Sequence, residues 1–112
     1  MLSNKPDAQA VYVVSEIFGK DVFEAVQGQK EGIPRKPDPT AALSMARQFG
    51  ARPEETLYIG DSEVDAATGK AAGMDTVLVS WGFRSKEALR AASPNRLVDK
   101  TEEITAIIRG EE

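Results

Sequence analysis

Short apolar runs alternate with segments of helical periodicity along most of the chain, and no other feature limits the possible folds as strongly. The clearest runs, 57–59 (LYI) and 76–79 (TVLV), have the length and composition of buried strands. A segment with apolar residues at helical spacing follows each of them. Strands that alternate with helices of roughly 10–15 residues form βαβ units. The sequence therefore predicts an α/β fold built on a Rossmann-like, doubly wound parallel sheet.

Weaker patterns predict the remaining elements and the buried faces of two helices. Helices are expected at 8–18, from Asp38 to Phe49, at 64–72, at 85–92 and around 104–108, and strands are expected to end at Leu2 and to cover 23–26 and 96–98. The inner face of the second helix is predicted to comprise Ala42, Met45, Ala46 and Phe49, and that of the third Val64, Ala67, Ala71 and Ala72. Small residues on the third helix would let it lie close to the sheet.

The composition excludes several classes of protein. With 14 basic and 18 acidic residues the net charge is −4, which gives no reason to expect a nucleic-acid partner. No apolar run approaches the length of a membrane span. Histidine and cysteine are both absent, so a Ser-His-Asp triad and a disulfide cannot form, and a cytoplasmic location is expected. Any acid–base or metal chemistry must use carboxylates, lysines and hydroxyl groups.

The sharpest motif is residues 60–65 (GDSEVD). Gly60 permits a tight exit from the preceding strand, and Asp61 then stands at the strand tip, beside a helix N-terminus. Asp65 lies four residues further on and can face the same side. Carboxylates in this arrangement suit Mg²⁺, which takes few carboxylates together with water and phosphate oxygens. The alternative is that Asp61 and Ser62 only cap a helix whose first turn favours acidic residues.

Two other polar groups lie at the ends of predicted elements. Lys36 opens the run 36–39 (KPDP) before the second helix, where its charge can reach phosphate oxygens or a neighbouring carboxylate. Ser3 and Asn4 follow the first predicted strand and can donate to a phosphate. The alternatives are a solvated lysine at an ordinary proline-rich helix start, and a simple turn or cap at the Ser-Asn pair. Because ligands of such sheets bind beyond the carboxyl ends of the strands, these groups are expected to meet Asp61 there.

Two further features are interpreted as structural. The Gly-Lys pair at 69–70 looks at first like the end of a phosphate-binding P-loop. It lacks the earlier glycine and the hydroxyl residue after the lysine that this motif needs, so Lys70 is expected to be a surface residue. Trp81 is expected to pack beneath the loop that follows the strand at 76–79, rather than to line a site.

The order of these motifs resembles the haloacid dehalogenase (HAD) superfamily, most closely its phosphoglycolate phosphatase-like members. The similarity rests on a strand-end SN, a helix, KPDP at the start of another helix, and a strand that runs into GDSEVD and is followed by AAGM. It extends from about Leu2 to 79–82 (VSWG). The resemblance implies an HAD-like core and a Mg²⁺-dependent phosphomonoester hydrolase that acts on a small phosphorylated metabolite.

The same resemblance implies a role for each candidate residue. Ser3 matches a hydroxyl that binds the transferring phosphoryl group, with Asn4 beside it as a further phosphate contact. Lys36 matches a lysine that neutralises the charge of the phosphate and the nucleophile. Asp61 matches the metal-binding acid, and Asp65 its partner, which helps to hold the lysine or a metal-bound water. The expected catalytic residues are therefore Lys36 and Asp65, the phosphate ligands Ser3, Asn4 and Lys36, and the metal ligand Asp61.

The chain departs from the family in one respect, since it lacks a DxDxT motif. In the family the first aspartate of that motif attacks phosphorus to form an aspartyl-phosphate, and the second is the general acid–base. The resemblance therefore implies that residues 1–112 are the C-terminal part of one HAD-like core domain, without the first strand and the substrate-selecting cap, and inactive alone. An open sheet edge would favour self-association or pairing with the missing N-terminal half. The alternative function is a non-catalytic phosphate-binding or protein-interaction module derived from the HAD fold.

Overall fold

The computed structural model describes residues 1–110, which form five strands, five α-helices and one short 3₁₀ turn. In chain order they are β1 (Leu2–Pro6), α1 (Asp7–Phe18), β2 (Gln27–Gln29), α2 (Thr40–Gln48), the 3₁₀ turn (Pro53–Glu55), β3 (Leu57–Gly60), α3 (Glu63–Ala71), β4 (Asp75–Val79), α4 (Lys86–Ala91), β5 (Arg96–Val98) and α5 (Thr101–Arg109). None of these helices is long and apolar enough to cross a membrane.

The strands form two separate parallel sheets. β1 pairs with β2, and β3, β4 and β5 pair in that order, with Leu57 of β3 opposite Asp75 of β4. Among residues 1–110, β1 and β3 each have one edge without a strand partner. The predicted fold class, an incomplete doubly wound parallel sheet, is confirmed. The incompleteness takes the form of an opening between the β1–β2 pair and β3.

β4 is the central strand of the larger sheet and separates two apolar layers. On one face Leu78 packs with Ala66 of α3 and Leu89 of α4. On the other face Val77 and Val79 pack with β5 and with the isoleucines of α5. Successive β4 side chains thus alternate between the two layers, as the period of two in a strand requires. Helices cover both faces of this sheet, and the candidate site residues Asp61 and Asp65 lie beyond the end of β3.

The strand predicted at 23–26 is wrong, because β2 includes none of these residues. β2 begins at Gln27, and the N–H of Gly28 donates to Asp7 Oδ1 at 2.9 Å. A Cβ on Gly28 would lie 2.5 Å from the carbonyl oxygen of Lys5. The absence of a side chain at this glycine therefore lets β2 approach the end of β1, and the apolar run before it stays irregular.

The first strand is also longer than predicted. The expected end at Leu2 is wrong, because β1 continues to Pro6, which still lies opposite Gln29 of β2. Ser3 and Asn4 therefore lie inside the strand rather than in a loop after it. Their side chains alternate in direction along the strand, so the two residues need not share one environment.

Two predicted helix faces need correction. Phe49 is 52% exposed instead of buried, because it follows the last turn of α2 and borders the opening beside β3. The predicted inner face of α3 is partly wrong: Ala72, just after the helix, is buried as expected, but Ala67 and Ala71 are exposed. The helix is rotated relative to the prediction and buries Asp65, Ala66, Thr68 and Gly69. Asp65 and Thr68 are polar but buried, because their side chains form hydrogen bonds within the protein. The spacing of apolar residues does not reveal such positions.

Gly69 lets α3 lie directly against β3 and β4. A Cβ at this position would overlap the Cγ2 methyl of Thr76 and would come within 3.2 Å of Tyr58 Cβ. Alanine is favoured over glycine inside a helix by about 1 kcal/mol, but overpacking a core costs about 1–3 kcal/mol. We therefore expect Gly69→Ala to lower the free energy of unfolding by up to about 2 kcal/mol, measured by urea denaturation.

Thr76→Ser is the matched background for this test. It removes the Cγ2 methyl but keeps the Oγ1 that donates to Asn95 Oδ1 at 2.8 Å. Gly69→Ala is expected to cost less in this background, because the overlap is relieved. A Gly69→Ala variant that is as stable as its parent in both backgrounds would contradict the close packing of α3 on the sheet.

Candidate functional site

A cleft of about 580 Å³ opens between the unpaired edges of β1 and β3. The apolar side chains of Met1, Phe49 and Ile59 line it and are 41–52% exposed. Four polar residues predicted for the site line the same cleft: Ser3, Lys36, Asp61 and Asp65. The structure therefore brings together groups from β1, from the loop before α2, and from the junction of β3 with α3.

An ion pair between Lys36 and Asp65 lies in this cleft. The Lys36 Nζ is 2.9 Å from Asp65 Oδ1, and the two side chains are 14% and 9% exposed. Each charge is therefore largely removed from water and is stabilised chiefly by the other. The pair also joins two segments 29 positions apart in the sequence. It fixes the lysine head group beside the end of β3.

The second oxygen of Asp65 is bound by the turn that precedes α3. Asp65 Oδ2 accepts a hydrogen bond from the Asp61 N–H at 3.0 Å and one from Ser62 Oγ at 3.3 Å. The carboxylate thus binds the main chain and a side chain of the turn between β3 and α3. A Cβ on Gly60 would overlap the Asp65 carboxyl group, so the glycine makes this approach possible. Asp65 thus orients both Lys36 and the main chain of Asp61.

Asp61 presents an exposed carboxylate at the end of β3. The loop after β4 passes close to it, since a Cβ on Gly82 would lie 2.7 Å from Asp61 Oδ2. Within the described part of the chain, no cluster of three or more histidine, cysteine, aspartate or glutamate side chains is suited to hold a metal. One exposed carboxylate fits a hard cation such as Mg²⁺, which completes its shell with water and phosphate oxygens.

Ser3 and Asn4, which are neighbours on β1, have different environments. Ser3 lines the cleft, and its Oγ accepts a hydrogen bond from the N–H of Lys5 at 3.1 Å. Asn4 contacts the main chain of Lys36 instead. Its Oδ1 accepts from the Lys36 N–H at 3.0 Å, and its Nδ2 donates to the Lys36 carbonyl oxygen at 3.4 Å.

Sequence reasoning missed two polar contributors to this region. Tyr58 lines the cleft, and burial, together with the nearby charge of Asp65, raises the pKa of its phenol, so the hydroxyl stays protonated at neutral pH. Arg84 forms an ion pair with Glu63 at 2.9 Å on the rim of α3. Glu63, and more weakly Asp61, raises the pKa of Arg84. Tyr58 could have been recognised from the sequence, because it lies in the run LYI just before the GDSEVD motif. Arg84 could not, because its position depends on the loop after β4.

The two features interpreted as structural have different outcomes. Lys70 is exposed and its Nζ donates to the carbonyl oxygen of Ala92 at 2.8 Å, which confirms a surface position. Trp81 is 51% exposed, so the expected packing beneath the loop is wrong. Its neighbour Phe83 is 99% exposed. The loop after β4 therefore presents two accessible aromatic side chains near Asp61.

A parallel α/β domain whose charged groups meet at the ends of its strands belongs to the class of Rossmann-like domains that bind ligands at that edge. Residues 33–104, which are more than half of the chain, match the model of the HAD-hydrolase-like family. The chain belongs to this family. The resemblance to phosphoglycolate phosphatase-like HAD proteins is confirmed by the relatives described next.

Similar proteins include the phosphoglycolate phosphatase of Cereibacter sphaeroides, with 39% identity over 84 residues, 75% of this chain and 38% of the relative. The crystal structure of a candidate phosphoglycolate phosphatase from Lactobacillus delbrueckii subsp. bulgaricus is 36% identical, with a TM-score of 0.89 over 96% of this chain and 44% of that one. A HAD family hydrolase from Deinococcus radiodurans R1, solved with bound phosphate and sodium, shares the fold with a TM-score of 0.79 at 22% identity, over 98% of this chain and 51% of that one. The chain thus spans 38–51% of the length of these proteins. These similarities show that the chain shares its family and fold with HAD-like hydrolases.

Proposed function

We propose that the chain is the part of a phosphoglycolate phosphatase-type phosphomonoester hydrolase that holds the phosphoryl group of a small phosphorylated metabolite. One observation carries this proposal: the cleft between β1 and β3 collects an ammonium, a strand-end carboxylate and a hydroxyl in one place. Such a set offers both a cation and a hydrogen-bond donor to phosphoryl oxygens. Residues 1–112 are, on this proposal, the C-terminal part of one HAD-like core domain.

The proposed chemistry divides between this chain and the rest of the protein. Lys36 offsets the negative charge of the phosphoryl oxygens, Ser3 donates a hydrogen bond to one of them, and Asp65 keeps the ammonium in place. An aspartate outside residues 1–112 attacks phosphorus, and an aspartyl-phosphate forms as the ester P–O bond breaks. A second acid outside residues 1–112 gives its proton to the leaving alcohol. Water then attacks this intermediate, which releases inorganic phosphate and restores the carboxylate.

Mg²⁺ is the proposed cofactor, and Asp61 is its proposed ligand in this chain. When bound, the cation would neutralise charge on the phosphoryl oxygens. The exposed position of Asp61 and its hard oxygen donors support the assignment. Because Asp61 supplies a single carboxylate, the remaining ligands would be water, substrate oxygens and groups outside residues 1–112.

The rival function is a non-catalytic phosphate-binding or protein-interaction module that keeps the fold. The paired state of Lys36 is compatible with this rival, because an ammonium held by Asp65 can bind phosphate without turnover. A DxDxT motif in the part of the protein outside residues 1–112 supports the enzyme, and its absence there supports the module. Nucleic-acid and membrane partners are not expected on either proposal, and a cytoplasmic location stays a prediction from composition.

The test joins the chain to the part of the Cereibacter relative that it does not cover, and follows hydrolysis of p-nitrophenyl phosphate with Mg²⁺. We expect turnover, and a loss of about 100-fold or more in Lys36→Met and in Asp61→Asn, the size typical of removing an electrostatic contact to the transition state. Lys70→Met is the matched control and is expected to be unchanged, because this lysine lies on the surface of α3. Phosphate binding without turnover would favour the rival module.

A further inference from the structure

The carboxamide of Asn4 forms hydrogen bonds with both main-chain polar groups of Lys36. Its oxygen accepts from the N–H of Lys36 at 3.0 Å, and its nitrogen donates to the carbonyl oxygen of Lys36 at 3.4 Å. These residues are 32 positions apart, and both contacts are partly buried. An asparagine side chain carries one donor group and one acceptor group, and here each is used on the same partner.

These two hydrogen bonds fix the main chain of Lys36, from which its side chain extends. Lys36 lies in the irregular segment before α2, where no helix or strand ladder fixes its main chain. A flexible four-carbon stem places its ammonium accurately only if the main chain at its base is held. The far end of the stem is bound to Asp65, so Lys36 is fixed at both ends.

A line of contacts consequently crosses the molecule between its two sheets. It runs from Asn4 on β1, through the main chain and the side chain of Lys36, to the carboxylate of Asp65. From Asp65 it continues to the N–H of Asp61 at the end of β3. The apolar walls of the cleft have no comparable directional link, since apolar contacts do not fix orientation.

We infer that Asn4 is a positioning residue whose carboxamide holds the Lys36 main chain so that the ammonium reaches Asp65 in the cleft. A direct phosphate contact by Asn4, as the resemblance implies, would have to use the amide hydrogen that the lysine does not take. Ser3, which lines the cleft, offers the more accessible donor on β1. The inference concerns the geometry of Lys36 and needs no catalysis, so it can fail while the proposed phosphatase function stands, and the reverse also holds.

The test measures how fast each lysine of the 112-residue chain is acetylated by an amine-specific reagent, with peptide mass spectrometry as the readout. The Lys36 rate is divided by the Lys70 rate in the same molecule, so that a general loosening cancels. We expect Asn4→Ala to raise this ratio about tenfold, because two ordinary hydrogen bonds together correspond to roughly that change in population.

Asn95→Ala is the matched control. Asn95 also makes a double side-chain contact, because its Oδ1 accepts from both the N–H and the Oγ1 of Thr76 at 2.8 Å, at the opposite end of the sheet. It is expected to lower the free energy of unfolding but to leave the Lys36-to-Lys70 ratio unchanged. An unchanged ratio in Asn4→Ala, or the same rise in both variants, would overturn the inference, since Asn4 would then have only a general structural role.

Discussion

In light scattering, the isolated chain is expected to have at least the mass of a dimer at micromolar concentrations. The edges of β1 and β3 lack strand partners within residues 1–110, and the apolar side chains of Phe49 and Ile59 beside them are 52% and 42% exposed. A flat apolar edge with free N–H and C=O groups is a template for another strand. Each backbone group that is buried without a partner costs about 1–3 kcal/mol, and total stability is only about 5–15 kcal/mol. Pairing between copies offers a way to satisfy these groups.

A charge placed on the edge of β3 tests this explanation directly. Lysine at a sheet edge disfavours strand pairing, because its ammonium would have to be buried between chains. Ile59→Lys is therefore expected to weaken self-association about tenfold or more, an effect of about 1.4 kcal/mol or more. Ile108→Lys is the matched control, because Ile108 is 69% exposed, lies on α5 and is not among the residues that line the cleft. Equal effects of both substitutions would show that general hydrophobicity, and not the strand edge, drives association.

The remaining part of the Cereibacter relative is expected to compete with self-association. If it supplies a strand to the cleft, the mixture should contain a complex of one copy of each segment, and the homo-oligomer should decrease. Ile59→Lys should weaken both assemblies, because both would use the same edge. A chain that stays monomeric at all concentrations and does not bind the added segment would contradict the open cleft as a pairing site.

The sequence was most informative where the geometry of the site depends on residues that are close together in the chain. The run from Leu57 through Asp65 predicted a strand, a sharp exit and a helix start, and all three are present. Its two aspartates lie at the cleft, because four positions in this turn bring Asp65 back to the N–H of Asp61. Local spacing alone fixes this geometry, so it could be predicted without knowledge of the rest of the chain.

Features that depend on distant partners could not be predicted in this way. α1 carries apolar residues at helical spacing along its length, yet only Ala10 and Val14 are buried. Periodicity shows which face of a helix is apolar, but whether a partner covers that face depends on other segments. Phe49 illustrates the same limit, since its pattern fits a core position but, within residues 1–110, no strand pairs with the edge of β3 next to it.

The hydrogen bonds between Asn4 and Lys36 also depend on partners that are distant in the sequence. Both residues were expected at one phosphate site because each lies near the end of a predicted element. The structure instead uses the amide on the lysine main chain, through hydrogen bonds that span 32 positions. No pattern in either local segment encodes this contact, because it arises from the packing of β1 against the loop before α2.

Breaking the ion pair at the cleft is expected to have the largest effect of any single substitution on stability. Asp65→Ala should lower the free energy of unfolding by about 3 kcal/mol, because it leaves the ammonium of Lys36, whose side chain is only 14% exposed, without its counter-charge. The substitution also removes the acceptor for the N–H of Asp61. Urea denaturation at one fixed protein concentration measures this difference, since association would otherwise shift the apparent stability.

The pair between Glu63 and Arg84 is the matched control, because its N–O distance is also 2.9 Å while its side chains are 51% and 47% exposed. A double-mutant cycle on Lys36→Met and Asp65→Asn is expected to give a coupling energy of about 2 kcal/mol, and the cycle on Glu63→Gln and Arg84→Met a much smaller one. Salt at 1 M should abolish most of the exposed coupling and little of the coupling in the cleft, because water and ions reach only the former. Equal coupling energies for the two pairs would mean that water enters the cleft freely, and that Asp65 does not hold the lysine in the way its geometry indicates.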